Sequence, residues 1–180
     1  MRIVAGKAKG TVLKTPEGML TRPTSDRVKE ALFSIIQFDI PGASVLDLFA
    51  GTGQLGIEAL SRGAEKAFFI DMRKDACNLI RENLRRARFE NQGTVVQSDY
   101  LNYLSITKEK FNIIILDPPY AEEFLENALK RITEIDILQS GGIIITERPS
   151  DKAFSLDFPG FERSRDYKYG KTVLTVFRKD

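Results

Sequence analysis

The 180-residue chain carries 42% hydrophobic and 29% charged residues, with 12 Phe and 5 Tyr, enough for a sizeable apolar core under a charged exterior; a disordered or collagen-like chain is excluded. With no His and one Cys, it has no means of building a Ser-His-Asp triad, a Cys-His dyad, a His/Cys zinc site or an internal disulfide. The net charge of +2 divides unevenly: residues 1–30 hold seven Lys/Arg against three Asp/Glu, residues 161–180 six against three, and the stretch between them fourteen against nineteen, so a fold that brought the two basic ends onto one face would attract a polyanion there.

The length fits a single domain over 1–180, with residues 1–22 as an N-terminal basic arm or small hairpin broken at Gly6 and Gly10. A helix is predicted from Asp26 to Phe38, capped by Thr24 or Ser25, with Val28, Ala31, Leu32, Ile35 and Ile36 on its apolar stripe. The chain then alternates. SVLDLFA (44–50) is a strand and Gln54 to Arg62 a helix; KAFFID (66–71) is a strand and Lys74 to Arg88 a basic-faced helix, where Cys77 reads as a packed thiol. Strands follow at 94–99 and 111–117, a helix from Glu122 to Thr133, and a strand at 142–147. Strands this apolar, separated by helices, form a parallel sheet covered on both faces. FERSRDYKYG and KTVLTVFRK close the chain as an antiparallel hairpin, giving an α/β fold with a mostly parallel seven-stranded sheet. No apolar run reaches the roughly 18 residues needed to span a bilayer, and the N-terminus lacks a secretory apolar core, so a cytoplasmic protein is expected.

The first strand runs into AGTGQLG, in which Gly51, Gly53 and Gly56 form the G-x-G-x-x-G spacing that lets a backbone approach a nucleotide, with Thr52 inside the loop. Asp71, 20 residues beyond Gly51 at the end of the second strand, suits ribose hydroxyls. Asp47 lies four residues before Gly51, where its charge would repel a dinucleotide pyrophosphate and favour a ligand bearing an ammonium and a sulfonium. S-adenosylmethionine has that charge pattern; an NAD-dependent oxidoreductase is the disfavoured alternative.

Asp117, Pro118, Pro119 and Tyr120 stand at the carboxyl end of the fourth strand, where open α/β sheets place their ligand crevice. Consecutive prolines are stiff and donate no backbone hydrogen bond, so the carbonyls around them are fixed acceptors. Together with the Asp117 carboxylate they suit an aromatic NH2 group, whose lone pair becomes available for methyl transfer once both N–H groups are held. Tyr120 would stack on the target base. No metal is required. This pattern gives nitrogen chemistry without choosing between guanine N2 and adenine N6 of RNA or DNA.

VLDLFAGTG, FFID and QSDY resemble the first three motifs of the Rossmann-like class I methyltransferases, which implies that Asp99 accepts from the adenine amine of S-adenosylmethionine while Asp71 holds its ribose. The segments RIVAGKAKGTVLKTP, TRPTSDRVKEALFSII, VLDLFAGTGQLGIEALSRGA, LDPPY and YGKTVLTVFRK together resemble the bacterial family that methylates guanine N2 in 16S rRNA of the small ribosomal subunit. That resemblance covers nearly the whole chain. It implies 16S rRNA in an assembled or assembling small subunit as partner, and Arg2, Lys7, Lys9, Arg22 and Arg27 as RNA contacts. Gln54 departs from the small residue common after AGTG, where a side chain pointing outward from the helix start would be harmless. A non-catalytic RNA-binding module is the reading that the intact acids and DPPY disfavour.

Overall fold

A computed structural model describes residues 1–16, 25–119, 122–151 and 157–180. The elements in chain order are α1 (Asp26–Ile35), β1 (Ser44–Asp47), α2 (Gln54–Ser61), β2 (Lys66–Asp71), α3 (Lys74–Ala87), β3 (Gly93–Gln97), α4 (Tyr100–Ile106), β4 (Phe111–Leu116), α5 (Glu122–Glu134), β5 (Leu138–Pro149), β6 (Phe161–Arg163), β7 (Tyr167–Tyr169) and β8 (Thr172–Lys179). They build one sheet in the order β3-β2-β1-β4-β5-β8-β6, with β7 also on β8. β1 to β5 are parallel and β8 runs antiparallel to β5.

Alternation along the strands divides the core into two layers. Val45, Phe69, Ile113, Ile115, Ile143 and Ile145 face a cluster completed by Leu32 and Phe33 of α1, Ile57 of α2 and Ile80 and Leu84 of α3. Leu46, Ile70, Ile114, Leu116 and Ile144 face Tyr103 and Leu104 of α4 and Leu125, Leu129 and Ile132 of α5. Both faces are dry, which is why these strands read as apolar runs without a polar alternation.

Among the described residues the sheet has eight named strands where seven are expected, because the outer strand of the closing hairpin is interrupted. Arg163 pairs with Phe177 and Tyr167 with Leu174, so four steps on one strand oppose three on the other. The extra residue is a β-bulge at 164–166, fastened by Ser164 N–H to the Val176 carbonyl (2.8 Å) and by Val176 N–H to Ser164 Oγ (3.0 Å). The short α4 is an element the sequence reading lacks. α1 stops at Ile35 rather than Phe38; Ile36 caps it, and Phe38 is 90% exposed.

At the N-terminus, residues 1–13 form the expected small hairpin, bridged at Arg2 and Val12. It lies on α2: Val4 and Ala5 donate their N–H groups to Glu58 (2.9 and 3.0 Å), and Lys7 N–H donates to the Ser61 carbonyl (2.7 Å). Among the described residues no helix is long and apolar enough to cross a membrane.

Candidate functional site

Three carboxylates meet at the carboxyl edge of the sheet. Asp47 ends β1 and stands level with Phe69 on β2 and Ile115 on β4. Asp71 and Asp117 follow two residues beyond those partners, so strand periodicity puts all three on one side of the edge. Asp47 is 1% exposed; its Oδ2 accepts from the Gly56 N–H (3.0 Å), and its Oδ1 has no hydrogen-bond partner among the described residues. Burial, with the charges of Asp117 and Asp71 acting the same way, raises its carboxyl from 3.8 to about 7 against the opposing Gly56 hydrogen bond. The edge therefore gathers three carboxylates, of which Asp71 also lies 3.6 Å from the Arg73 guanidinium.

Asp71 is tied into the glycine loop. Its Oδ2 accepts from Gly51 N–H (3.0 Å) and its Oδ1 from Arg73 N–H (2.9 Å). Gly51 and Gly53 have φ of 55° and 79°, backbone that only glycine adopts without strain, and Gly53 caps α2. At Gly56 a Cβ would come within 2.3 Å of the Phe69 ring, so the absence of a side chain is what lets α2 lie close to β2. The Thr52 hydroxyl turns toward Met1 Sδ (3.6 Å) of the N-terminal hairpin. Cys77 is buried beneath Asp71, its thiol 3.5 Å from the Asp71 carbonyl, and burial raises its pKa.

Asp99 caps α4, with Oδ1 accepting from Leu101 N–H (2.9 Å) and Asn102 N–H (3.2 Å). Beside it Tyr100 packs with Phe49 of the loop after β1 (centroids 5.0 Å apart) and with Phe124 of α5 (5.7 Å), an aromatic wall on the opposite face of the edge from the carboxylates. Burial raises the Tyr100 hydroxyl despite a hydrogen bond with Asn127. Asp117 and Pro118 are partly buried and Pro119 is exposed; Tyr120 lies outside the described residues.

Of the basic residues expected to meet RNA, Arg2, Lys7 and Lys9 are exposed on the hairpin and Arg27 is exposed on α1; Arg22 lies outside the described residues. Arg2 is paired with Asp26 at 3.3 Å. At the other end of the chain, Arg178 pairs with Asp39 (3.0 Å) and Lys179 with Asp136 (2.6 Å), which neutralises part of the C-terminal excess. Gln54 does not take the harmless outward position at the start of α2. It is 8% exposed and turned inward, with Oε1 buried and without a partner among the described residues.

Among the fully buried polar residues that escaped the sequence reading, Lys29, Glu58 and Asn83 fasten the N-terminal segment. Lys29 sits on the buried stripe of α1 with Phe33 and Ile36, one turn apart, and donates to the Arg2 carbonyl. Glu58 holds the hairpin as described above. Asn83 on α3 accepts from Lys14 N–H (2.7 Å) and donates to the Lys14 carbonyl (3.0 Å) and the Thr52 carbonyl (2.9 Å), so one amide joins the basic hairpin to the glycine loop. A lysine at a helix's apolar position was the only legible signal among them.

The edge thus combines a glycine loop, three clustered carboxylates and a proline-stiffened strand end beside an aromatic wall. A family model described as Conserved hypothetical protein 95 matches residues 1–178. YlbH of Bacillus subtilis (strain 168) is 36% identical over 182 residues, covering 99% of each chain. Ribosomal RNA small subunit methyltransferase D of Haemophilus influenzae is 35% identical over 155 residues, covering 84% of this chain and 80% of that one. The solved structure of yhhF from Escherichia coli superposes with a TM-score of 0.90 at 29% identity, covering 100% of this chain and 98% of the other.

Proposed function

The chain belongs to the Conserved hypothetical protein 95 family, and from that membership we propose that it is an S-adenosylmethionine-dependent enzyme that methylates the exocyclic N2 amine of a guanine in 16S rRNA. The observation that carries this reading is the convergence of Asp47, Asp71 and Asp117 on one strand edge, followed at once by Pro118 and Pro119.

These residues fit a cationic cofactor. The unpartnered Oδ1 of Asp47, in a pocket already crowded with negative charge, favours an ammonium and a sulfonium and disfavours a pyrophosphate. When bound, S-adenosylmethionine supplies a methyl group on positively charged sulfur. Asp71, fixed by Gly51 and Arg73, would take the ribose hydroxyls, and Asp99 at the head of α4 the adenine amine.

Asp117 and the Pro118 carbonyl would hold the two N–H bonds of the target amine, turning its lone pair toward the methyl carbon. As the carbon–nitrogen bond forms and the carbon–sulfur bond breaks, positive charge grows on nitrogen next to these acceptors. The proton leaves by way of the Asp117 carboxylate. Tyr120 would stack on the guanine, and Arg2, Lys7, Lys9, Arg22 and Arg27 would meet phosphates. Because so small a protein has little surface for reading sequence, the shape of an assembled or assembling small subunit in the cytoplasm would supply the specificity.

The reading is tested by methylating 16S rRNA and small-subunit particles with labelled S-adenosylmethionine, then digesting to nucleosides for mass spectrometry. N2-methylguanosine, formed far better on the particle than on naked short RNA, is expected. N6-methyladenosine as the product, or binding of NADH without binding of S-adenosylmethionine in calorimetry, overturns it.

A further inference from the structure

The charge changes sign across the strand edge. Leu116, the last residue of β4, stands level with Thr146 of β5, and Arg148 follows two residues further along β5, where β5 has run past the end of β4. Arg148 is 8% exposed, and a buried guanidinium needs a counter-charge. It receives one from Asp166, which the bulge at 164–166 turns onto β8. Asp166 Oδ2 accepts from Arg148, while Oδ1 accepts from the Thr175 hydroxyl (2.7 Å) and from Arg163 (3.2 Å). Burial pushes the Asp166 carboxyl up, but Thr175, Arg148 and Arg163 outweigh it and hold it below the ordinary carboxylate range. One acid is therefore engaged between two guanidiniums and stays ionised.

The same bulge leaves the next guanidinium facing out. Arg165 is exposed, with its guanidinium 5.1 Å from the centroid of the Tyr167 ring. Contact with the ring restrains an exposed guanidinium, the side chain best suited to bidentate contact with a phosphate. Arg163, Ser164, Arg165, Asp166 and Asp157 line a groove of about 470 Å³ at this point. The charge of Asp166 is met within the cluster by Arg148 and Arg163, which leaves Arg165 as the cation and Asp157 as the acid that the groove presents among the described residues.

We propose that this groove grips a backbone phosphate of the substrate RNA, with Arg165 as the contact and the Arg148–Asp166–Arg163 cluster as its rigid base. The inference rests on the methyltransferase reading and extends it: the cationic donor lies on the Asp47 and Asp71 side of Asp117, and the polyanion approaches from the Arg148 side. Edge-strand bulges re-aim side chains, and this one separates an acid paired with Arg148 and Arg163 from the exposed guanidinium of Arg165.

The test is binding of 16S rRNA by the full chain across a salt series, with S-adenosylmethionine affinity measured in parallel. Arg165→Ala is expected to weaken RNA binding about fivefold and to lower the slope of log affinity against log salt by about 0.7 to 0.9, the contribution of one phosphate contact. Cofactor affinity and kcat stay unchanged while KM for RNA rises, and Arg165→Lys restores the slope. The residue is exposed, so folding is not at risk. A slope unchanged in Arg165→Ala, or not restored by lysine, overturns the groove while leaving the enzymatic reading standing. A wild-type chain that retains neither 16S rRNA nor the small-subunit particle overturns both.

Discussion

The Lys29 ammonium and the Glu58 carboxylate lie 3.7 Å apart with both side chains fully buried, and together they hold the N-terminal hairpin against the sheet. Glu58 accepts the N–H groups of Val4 and Ala5 and pairs with Arg62 at 2.9 Å, while Lys29 donates to the Arg2 carbonyl. Removing one member of such a pair leaves a buried charge uncompensated, at a cost of about 3 to 5 kcal/mol. Glu58→Gln is therefore expected to lose stability on that scale in urea unfolding. Adding Lys29→Met should recover part of the loss, since the stranded charge goes with it; a double variant no better than the single one refutes the pairing.

Asp47 gives a pH dependence whose sign is fixed. Its carboxyl titrates near 3.8 in an unfolded chain and at about 7 in the folded one. Between those values the folded state binds the extra proton, so its contribution is fully favourable below pH 4, is lost as pH rises and is constant above about pH 7. Asp47→Asn removes this loss while its amide oxygen still accepts from Gly56. The variant should gain up to a few kcal/mol over the wild type at pH 8 without cofactor, and bind S-adenosylmethionine more weakly. Urea melts at pH 5 and pH 8 check the first expectation; a wild-type difference that Asp47→Asn leaves unaltered contradicts it.

Gly6 makes the docking of the hairpin testable from the other side. A Cβ there would fall 1.9 Å from the Ser61 carbonyl oxygen, and the residue has φ of 83°. Gly6→Ala must lift the hairpin off α2, displacing Arg2, Lys7 and Lys9 together. KM for RNA should rise several-fold, whereas Ser61→Gly, which leaves the backbone contact in place, should have a smaller effect. Equal RNA affinity in wild type and Gly6→Ala would show that the hairpin takes no part in RNA binding.

What was legible in the sequence was whatever depends on local order. The β1 strand, its glycine loop, Asp71 at the end of β2 and the strand before Asp117 all follow from apolar runs and spacing, and the structure brings them to one edge. The closing hairpin was legible too, but its bulge was not, because one extra residue between Arg163 and Tyr167 is invisible until the partner strand fixes the register. α4 is only seven residues long, and its Asp99 cap reads equally well as a ligand residue. Lys29 with Glu58, Asn83 with Thr52 and Arg148 with Asp166 are pairings between distant elements, set by tertiary packing rather than by any local pattern.

The two flanking carboxylates should separate binding from chemistry. Asp71 fixes the glycine loop through Gly51 and would face the ribose, so Asp71→Ala is expected to weaken S-adenosylmethionine binding by tenfold or more and to leave the rate at saturating cofactor much less affected. Asp117 lies on the far side of Asp47 and would touch only the target amine. Asp117→Ala should bind the cofactor nearly as the wild type does while losing turnover by about a hundredfold or more, as expected when an acceptor that acts in the transition state is removed. Asp117→Asn keeps a carbonyl acceptor but accepts no proton, so its rate should fall between the two. Calorimetry and single-turnover methylation of small-subunit particles measure both quantities in each variant. If Asp117→Ala turned over like the wild type, the amine would have to be held elsewhere, and the edge formed by Asp47, Asp71 and Asp117 would serve the cofactor alone.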